Sequence, residues 1–133
     1  MGYTHYWGFK KKPVEIENGE IKFANASRKF KEGLEKLPKE IELAGGDGEG
    51  EPIITDTEIW FNSKGEKSHE TCYISVERGE SDFCKTCEKP YDVAVCLILL
   101  CMKEEFGDDF EFNIDGDFTE EGWVNAKEIF SNL

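Results

Sequence analysis

Apolar residues fall along this chain in blocks of distinct period. Residues 2–9 mix aromatics with Thr4 and His5 and predict a strand. Phe23, Phe30, Leu34, Leu37 and Ile41 follow at steps of seven, four, three and four, which predicts a helix over about 19–41. Pro38 ends or kinks it. The glycine-rich LAGGDGEGEP at 43–52 has no period and predicts a mobile loop. Residues 57–62 and 69–76 alternate around the turn NSKGEK and predict a hairpin. In its second strand Cys72, Ile74 and Val76 share one face, and Thr71, Tyr73 and Ser75 the other. Residues 78–82 read as a polar loop. Pro90 opens a helix to about Phe106, with Asp92 at its positive end. That helix is apolar nearly all round from Val93 to Met102, so it belongs at the centre of the fold. Residues 110–114 predict a strand, Asp115-Gly116 a turn, and 119–130 a last helix with Thr119 as N-cap.

The resulting order is β-α-β-β-α-β-α, and its first six elements match the split βαβ, ferredoxin-like order. The expected class is α+β: an antiparallel sheet with helices on one face, in a single domain over residues 1–133. Ten Phe, three Trp and four Tyr supply large side chains for a core. The longest apolar run, Val93 to Met102, is too short to span a bilayer, and no membrane partner is expected. The N-terminal pattern predicts neither a signal peptide nor myristoylation.

Charge narrows the partners. The net charge is −13, and residues 1–40 carry nine Lys or Arg against six Asp or Glu, so the acidity lies beyond residue 40. Such a surface repels nucleic-acid backbones, which excludes direct binding of a DNA or RNA duplex. Nine Asp or Glu and no base lie between 104 and 121, a solvated face or a surface for a basic partner. In that run the register of an EF-hand loop puts Gly122 where the bidentate Glu belongs, so calcium is not expected.

The five cysteines are odd in number, and Cys72, Cys96 and Cys101 sit among apolar neighbours, which favours reduced thiols. His69, Cys72, Cys84 and Cys87 have the form of two zinc knuckles. Strand alternation, however, sends His69 and Cys72 to opposite faces, so no metal or other cofactor is expected there. A redox role for Cys84 and Cys87 would need the first cysteine at a helix start, and the helix begins later. The same stretch, FCKTCEKPYD at 83–92, offers a different chemistry. Lys85, Thr86 and Lys89 approach a helix N-terminus, where free N–H groups and the dipole favour a phosphate. Tyr3, His5, Tyr6 and Trp7 supply rings to stack or hydrogen-bond a base, and His69 and Asp115 further polar contacts. An ordinary solvated turn and core-facing rings are the plain alternatives. No GxSxG, HExxH or P-loop is present, although His5, His69, Glu70 and Cys84 are residue types able to form an acid–base or Cys–His site.

MGYTHYW at 1–7 and FCKTCEKPYD at 83–92 together resemble a set of small tailed-phage and prophage proteins. Those begin MGYTHY and carry a CKTxxKPYD-like segment before an apolar helix. A late Asp-Gly and a Trp-containing C-terminal helix follow, as at Asp115, Gly116 and Trp123. In that set the second cysteine is often another residue, which counts against Cys87 as a ligand. The resemblance implies a phage accessory protein made in the cytoplasm of a bacterial host. The expected function is non-enzymatic capture of a phosphate-bearing small molecule, such as a nucleotide immune signal, by a homo-oligomer. The alternatives are an acidic inhibitor that binds a host defence protein, and an enzyme acting on a phosphorylated substrate through His5 or His69.

Overall fold

The computed structural model describes residues 4–39, 41–79, 82–86, 89, 91–114 and 121–133, except for the side chain of Glu121. Among the described residues seven strands and three α-helices follow in the order β1 (Thr4–Phe9), α1 (Gly19–Leu34), β2 (Leu43–Ala44), β3 (Ile53–Ile54), β4 (Glu58–Ser63), β5 (Cys72–Ser75), β6 (Asp82–Lys85), α2 (Asp92–Phe106), β7 (Phe110–Ile114) and α3 (Glu121–Ser131). The class is α+β with antiparallel sheets, as the periodicity predicts.

The strands form two sheets. In the first, β1 is central, with β6 on one side and β7 on the other. In the second, β4 is central: β3 and β5 pair with Ile59 and Trp60 from opposite edges, and the short β2 pairs with Asn62 and Ser63. The ferredoxin-like order predicts one sheet of four strands; β2, β3 and β6 are additional to it. The 43–52 stretch, predicted to be a mobile loop, is tied down. Gly45 N–H donates to Glu49 O, and the Gly46 carbonyl accepts from Asn62 Nδ2 at 3.3 Å and Thr71 Oγ1 at 2.6 Å.

Strand alternation decides what each face does. His5, Trp7 and Phe9 of β1 turn inward, while Tyr6 stands on the outer face at 47% exposure. Phe61 and Ile59 of β4 are buried opposite Cys72 and Ile74 of β5, and Trp60 faces out opposite Tyr73. The buried residues of the helices join these inner faces in one core. Helix α2 is sealed almost completely, with Val93 through Leu99, Cys101, Met102 and Phe106 all buried. Each fully buried Leu or Ile there contributes about 1.5–3 kcal/mol by removal from water. The helix ends where Gly107 takes a left-handed φ of 55°, open to glycine without strain. Lys103 Nζ then donates to the carbonyls of Gly107 and Phe110, which fixes the entry into β7. Helix α1 stops at Leu34, earlier than the apolar spacing suggests, because Pro38 disfavours helix in the residue before it and the chain unwinds through turns at 33–37. No helix among the described residues is long and apolar enough to cross a membrane.

Candidate functional site

Antiparallel pairing of β1 with β6 places His5 beside Cys84 and Thr4 beside Lys85. The two stretches singled out in the sequence, residues 4–7 and 83–92, therefore meet. Their junction is polar and buried. His5 Nε2 lies 2.6 Å from Asp92 Oδ1, and the Thr86 hydroxyl donates to the same oxygen at 2.6 Å. The Cys96 thiol, one helical turn beyond Asp92, reaches Asp92 Oδ2 at 3.7 Å. His5 and Thr86 are fully buried, and Asp92 is 9% exposed. Helix α3 closes the junction from the other side. Trp123 sets its ring 5.6 Å from that of His5 and stacks on Phe112 at 5.3 Å. A Cβ at Gly122 would land on Asp92 Oδ2, so the backbone of α3 approaches the carboxylate as closely as a glycine permits.

A second set of bonds locks the approach to α2. Glu70 Oε1 accepts the Lys85 backbone N–H at 2.6 Å, while the Glu70 carbonyl accepts from the Tyr91 hydroxyl at 2.6 Å and the Cys84 thiol at 3.3 Å. Burial raises the Tyr91 hydroxyl above its ordinary pKa, helped by Cys84 nearby. Burial likewise holds the Cys72 thiol well above its ordinary value, with Cys84 beside it, and pushes Cys101 up to about 12. These are packed thiols of low reactivity.

The outer face of the first sheet is different. Phe83 is 56% exposed and its ring centroid lies 6.4 Å from that of Tyr6, its cross-strand neighbour. Beside this pair opens a groove of about 860 Å³, lined by Tyr6, Gly8, Lys10, Asp82, Glu111 and Asn113 among others.

No protein-family model, curated protein or solved structure matches the chain.

The candidates from the sequence thus divide between two faces. His5 is sealed inside and has no surface on which to stack a base; Trp7 is buried to 5% exposure but, with the exposed Tyr6, lines the groove. Thr86 is buried, and its hydroxyl is committed to a carboxylate rather than open to a phosphate. The backbone N–H groups of Lys89 and Asp92 are taken by the carbonyls of Thr86 and Lys89, and Asp92 brings its own negative charge to the start of α2. Anion capture by those amides is therefore corrected; Lys85 and Lys89 remain half-buried at the edge of the site. His69 is exposed and Cys72 fully buried; β5 begins only at Cys72, so the predicted strand alternation does not extend to His69. Tyr3, Cys87, Pro90, Asp115 and Thr119 lie outside the described residues.

Three residues at the junction escaped notice as site residues. Asp92 was legible only as a charge at a helix start, Cys96 as a core thiol, and Trp123 as a ring in a helix. The available signal was the spacing of four between Asp92 and Cys96, which puts a carboxylate and a thiol on one helical face. Phe83, the most exposed ring beside the groove, had no signal beyond its exposure-neutral place in a short segment.

Proposed function

We propose that this protein is a non-enzymatic binding protein, a phage accessory product acting in the host cytoplasm, that sequesters a phosphate-bearing small molecule of nucleotide type. The observation that carries this reading is the exposed Tyr6–Phe83 pair on the outer sheet face, of which Tyr6 lines the 860 Å³ groove. Small-molecule sites span about 300–1,000 Å³, and ring stacking contributes about 1–3 kcal/mol per base. Lys10 lies in the groove, and Lys85 shares the Tyr6–Phe83 side of the sheet by alternation, which gives a phosphate cationic neighbours. The resemblance of residues 1–7 and 83–92 to phage proteins supplies the biological context, and the buried junction keeps those segments in register beneath the groove. The sealing of His5 counts against an enzyme built on that histidine.

Thermal melts with a panel of linear and cyclic nucleotides test this reading. A ligand in the panel is expected to raise Tm, and the rise is expected to vanish in Tyr6→Ala and Phe83→Ala. Absence of a shift with every nucleotide, or a shift that survives both substitutions, refutes it.

The second reading is an acidic inhibitor of a host defence protein. It is favoured by Glu104, Asp108 and Glu111, exposed around the turn from α2 to β7. Its mark is a salt-sensitive complex with a basic partner, weakened by Asp108→Asn and Asp109→Asn.

A further inference from the structure

We propose that His5, Asp92 and Cys96 form a binding site for a divalent transition-metal ion of the zinc class. One ligand atom from each side chain lies within 4.8 Å of the other two, and among the described residues this is the group of three such side chains that meets that spacing. The donors arrive from two elements: His5 from the inner face of β1, and Asp92 and Cys96 from successive turns of α2.

The chemistry of the donor set selects the metal. Imidazole, carboxylate and thiolate together suit zinc and its neighbours, whereas magnesium and calcium take oxygen ligands. Zinc bonds nitrogen and oxygen at about 2.0–2.2 Å and sulfur at about 2.3 Å, so tetrahedral ligands stand roughly 3.3–3.6 Å apart. The Cys96 Sγ to Asp92 Oδ2 distance of 3.7 Å is already close to that. The His5 Nε2 to Asp92 Oδ1 distance of 2.6 Å is a hydrogen bond, and it would open by less than an ångström around an ion. On binding, the neutral His5 ring transfers its proton from Nε2, where it bonds the Asp92 carboxylate, to Nδ1 and so offers the Nε2 lone pair; Asp92 binds as carboxylate, and Cys96 releases its thiol proton to solvent. A dication also answers the electrostatics, since it compensates a carboxylate held almost entirely out of water.

The surroundings suit such a site. Thr86 Oγ1 donates to Asp92 and orients the carboxylate from outside the ligand shell. The Trp123 ring packs on His5, and the close backbone at Gly122 shields the carboxylate. The site lies on the inner face, so it stands or falls separately from the nucleotide reading of the outer groove.

The test uses the full chain, stripped with chelator and titrated with Co²⁺. One equivalent is expected to give tetrahedral d–d bands and a thiolate-to-cobalt charge-transfer band, both bleached by one equivalent of Zn²⁺. The charge-transfer band is expected to disappear in Cys96→Ser and to persist in Cys72→Ser and Cys101→Ser. Absence of the band in the wild type, or its persistence in Cys96→Ser, overturns the proposal. Because Cys96→Ser alters a fully buried side chain, X-ray absorption at the zinc edge of the wild type gives a second arm. One sulfur with nitrogen or oxygen in the first shell supports the site; no sulfur, or two or more, overturns it.

Discussion

Replacing Gly122 by alanine sets two effects of opposite sign against each other. Glycine inside a helix is about 1 kcal/mol less favourable than alanine, so propensity alone makes Gly122→Ala stabilising. The structure demands the reverse, because the new Cβ would land on Asp92 Oδ2. That oxygen cannot simply swing aside. Its partner Oδ1 is held at 2.6 Å by both His5 and Thr86, and the carboxylate sits on a short side chain at the start of a rigid helix. Moving it costs one or both of these hydrogen bonds, at about 1.5–3 kcal/mol each for bonds to a charged group. Set against the propensity gain, the net loss is about 0.5–2 kcal/mol if one bond is lost and about 2–5 kcal/mol if both are. For a chain of this size Tm falls by about 3–5 °C per kcal/mol. Urea unfolding, with the slope m unchanged, measures the loss directly. The decisive arm is a double-mutant cycle with Asp92→Ala, where the obstacle is gone. There Gly122→Ala is expected to be neutral or stabilising. Equal penalties in both backgrounds, or a single Gly122→Ala variant as stable as wild type, would refute the contact.

Other consequences are open to measurement. Thr86→Val keeps the shape of a fully buried side chain but removes a donor to Asp92, and is expected to cost about 1–3 kcal/mol in urea melts. Tyr6→Ala and Phe83→Ala remove exposed rings and are expected to leave the stability of the unliganded protein within about 0.5 kcal/mol of wild type while abolishing ligand-induced shifts. The Cys101 thiol rises from 9.0 to about 12 on folding, so the unfolded chain releases that proton first as pH climbs. Stability is then full below pH 9.0 and lost towards pH 12, with a slope of about 1.4 kcal/mol per unit for this group and a further contribution from Cys72. Equilibrium unfolding across that range checks both sign and slope. With a thiol reagent at neutral pH, Cys72 and Cys101 are expected to react only as fast as the protein opens; labelling in the native state at the rate of a free thiol would contradict their burial.

The parts of this fold that were legible in the sequence are those with strong local period. The α2 helix is read from its continuous apolar run, and β7 from its alternation between a glycine turn and Asp115. β1 and β4 stand within a residue or two of their expected bounds. What was hidden is long-range. β6 is only four residues, Asp82–Lys85, and its strand character comes from pairing with β1 rather than from any alternation of its own. β2 and β3 are two residues each and exist because β4 offers them an edge. The His5–Asp92 contact joins residues 87 apart, and no local pattern encodes it. Sequence reasoning found both partners but assigned them to different jobs, a ring for a base and a charge for a helix dipole. Tyr6 and His5, adjacent in sequence, were grouped together, and the pleat of the strand sends them to opposite faces.

The position of β1 also imposes a schedule on biosynthesis. Its hydrogen-bonding partners lie at 82–85 and 110–114, so both of its edges stay bare while the intervening chain is made. At about 5–20 residues per second, the first partner reaches it only after roughly 4–15 s on the ribosome. Through that interval the aromatic strand is an open template for pairing with other chains. The centre of the core, α2, arrives later still, so the early segments have little to fold against until most of the chain has been synthesised. A nascent-chain series stalled at successive lengths should therefore resist protease only after α2 and β7 have cleared the exit tunnel, in one late step rather than by stages.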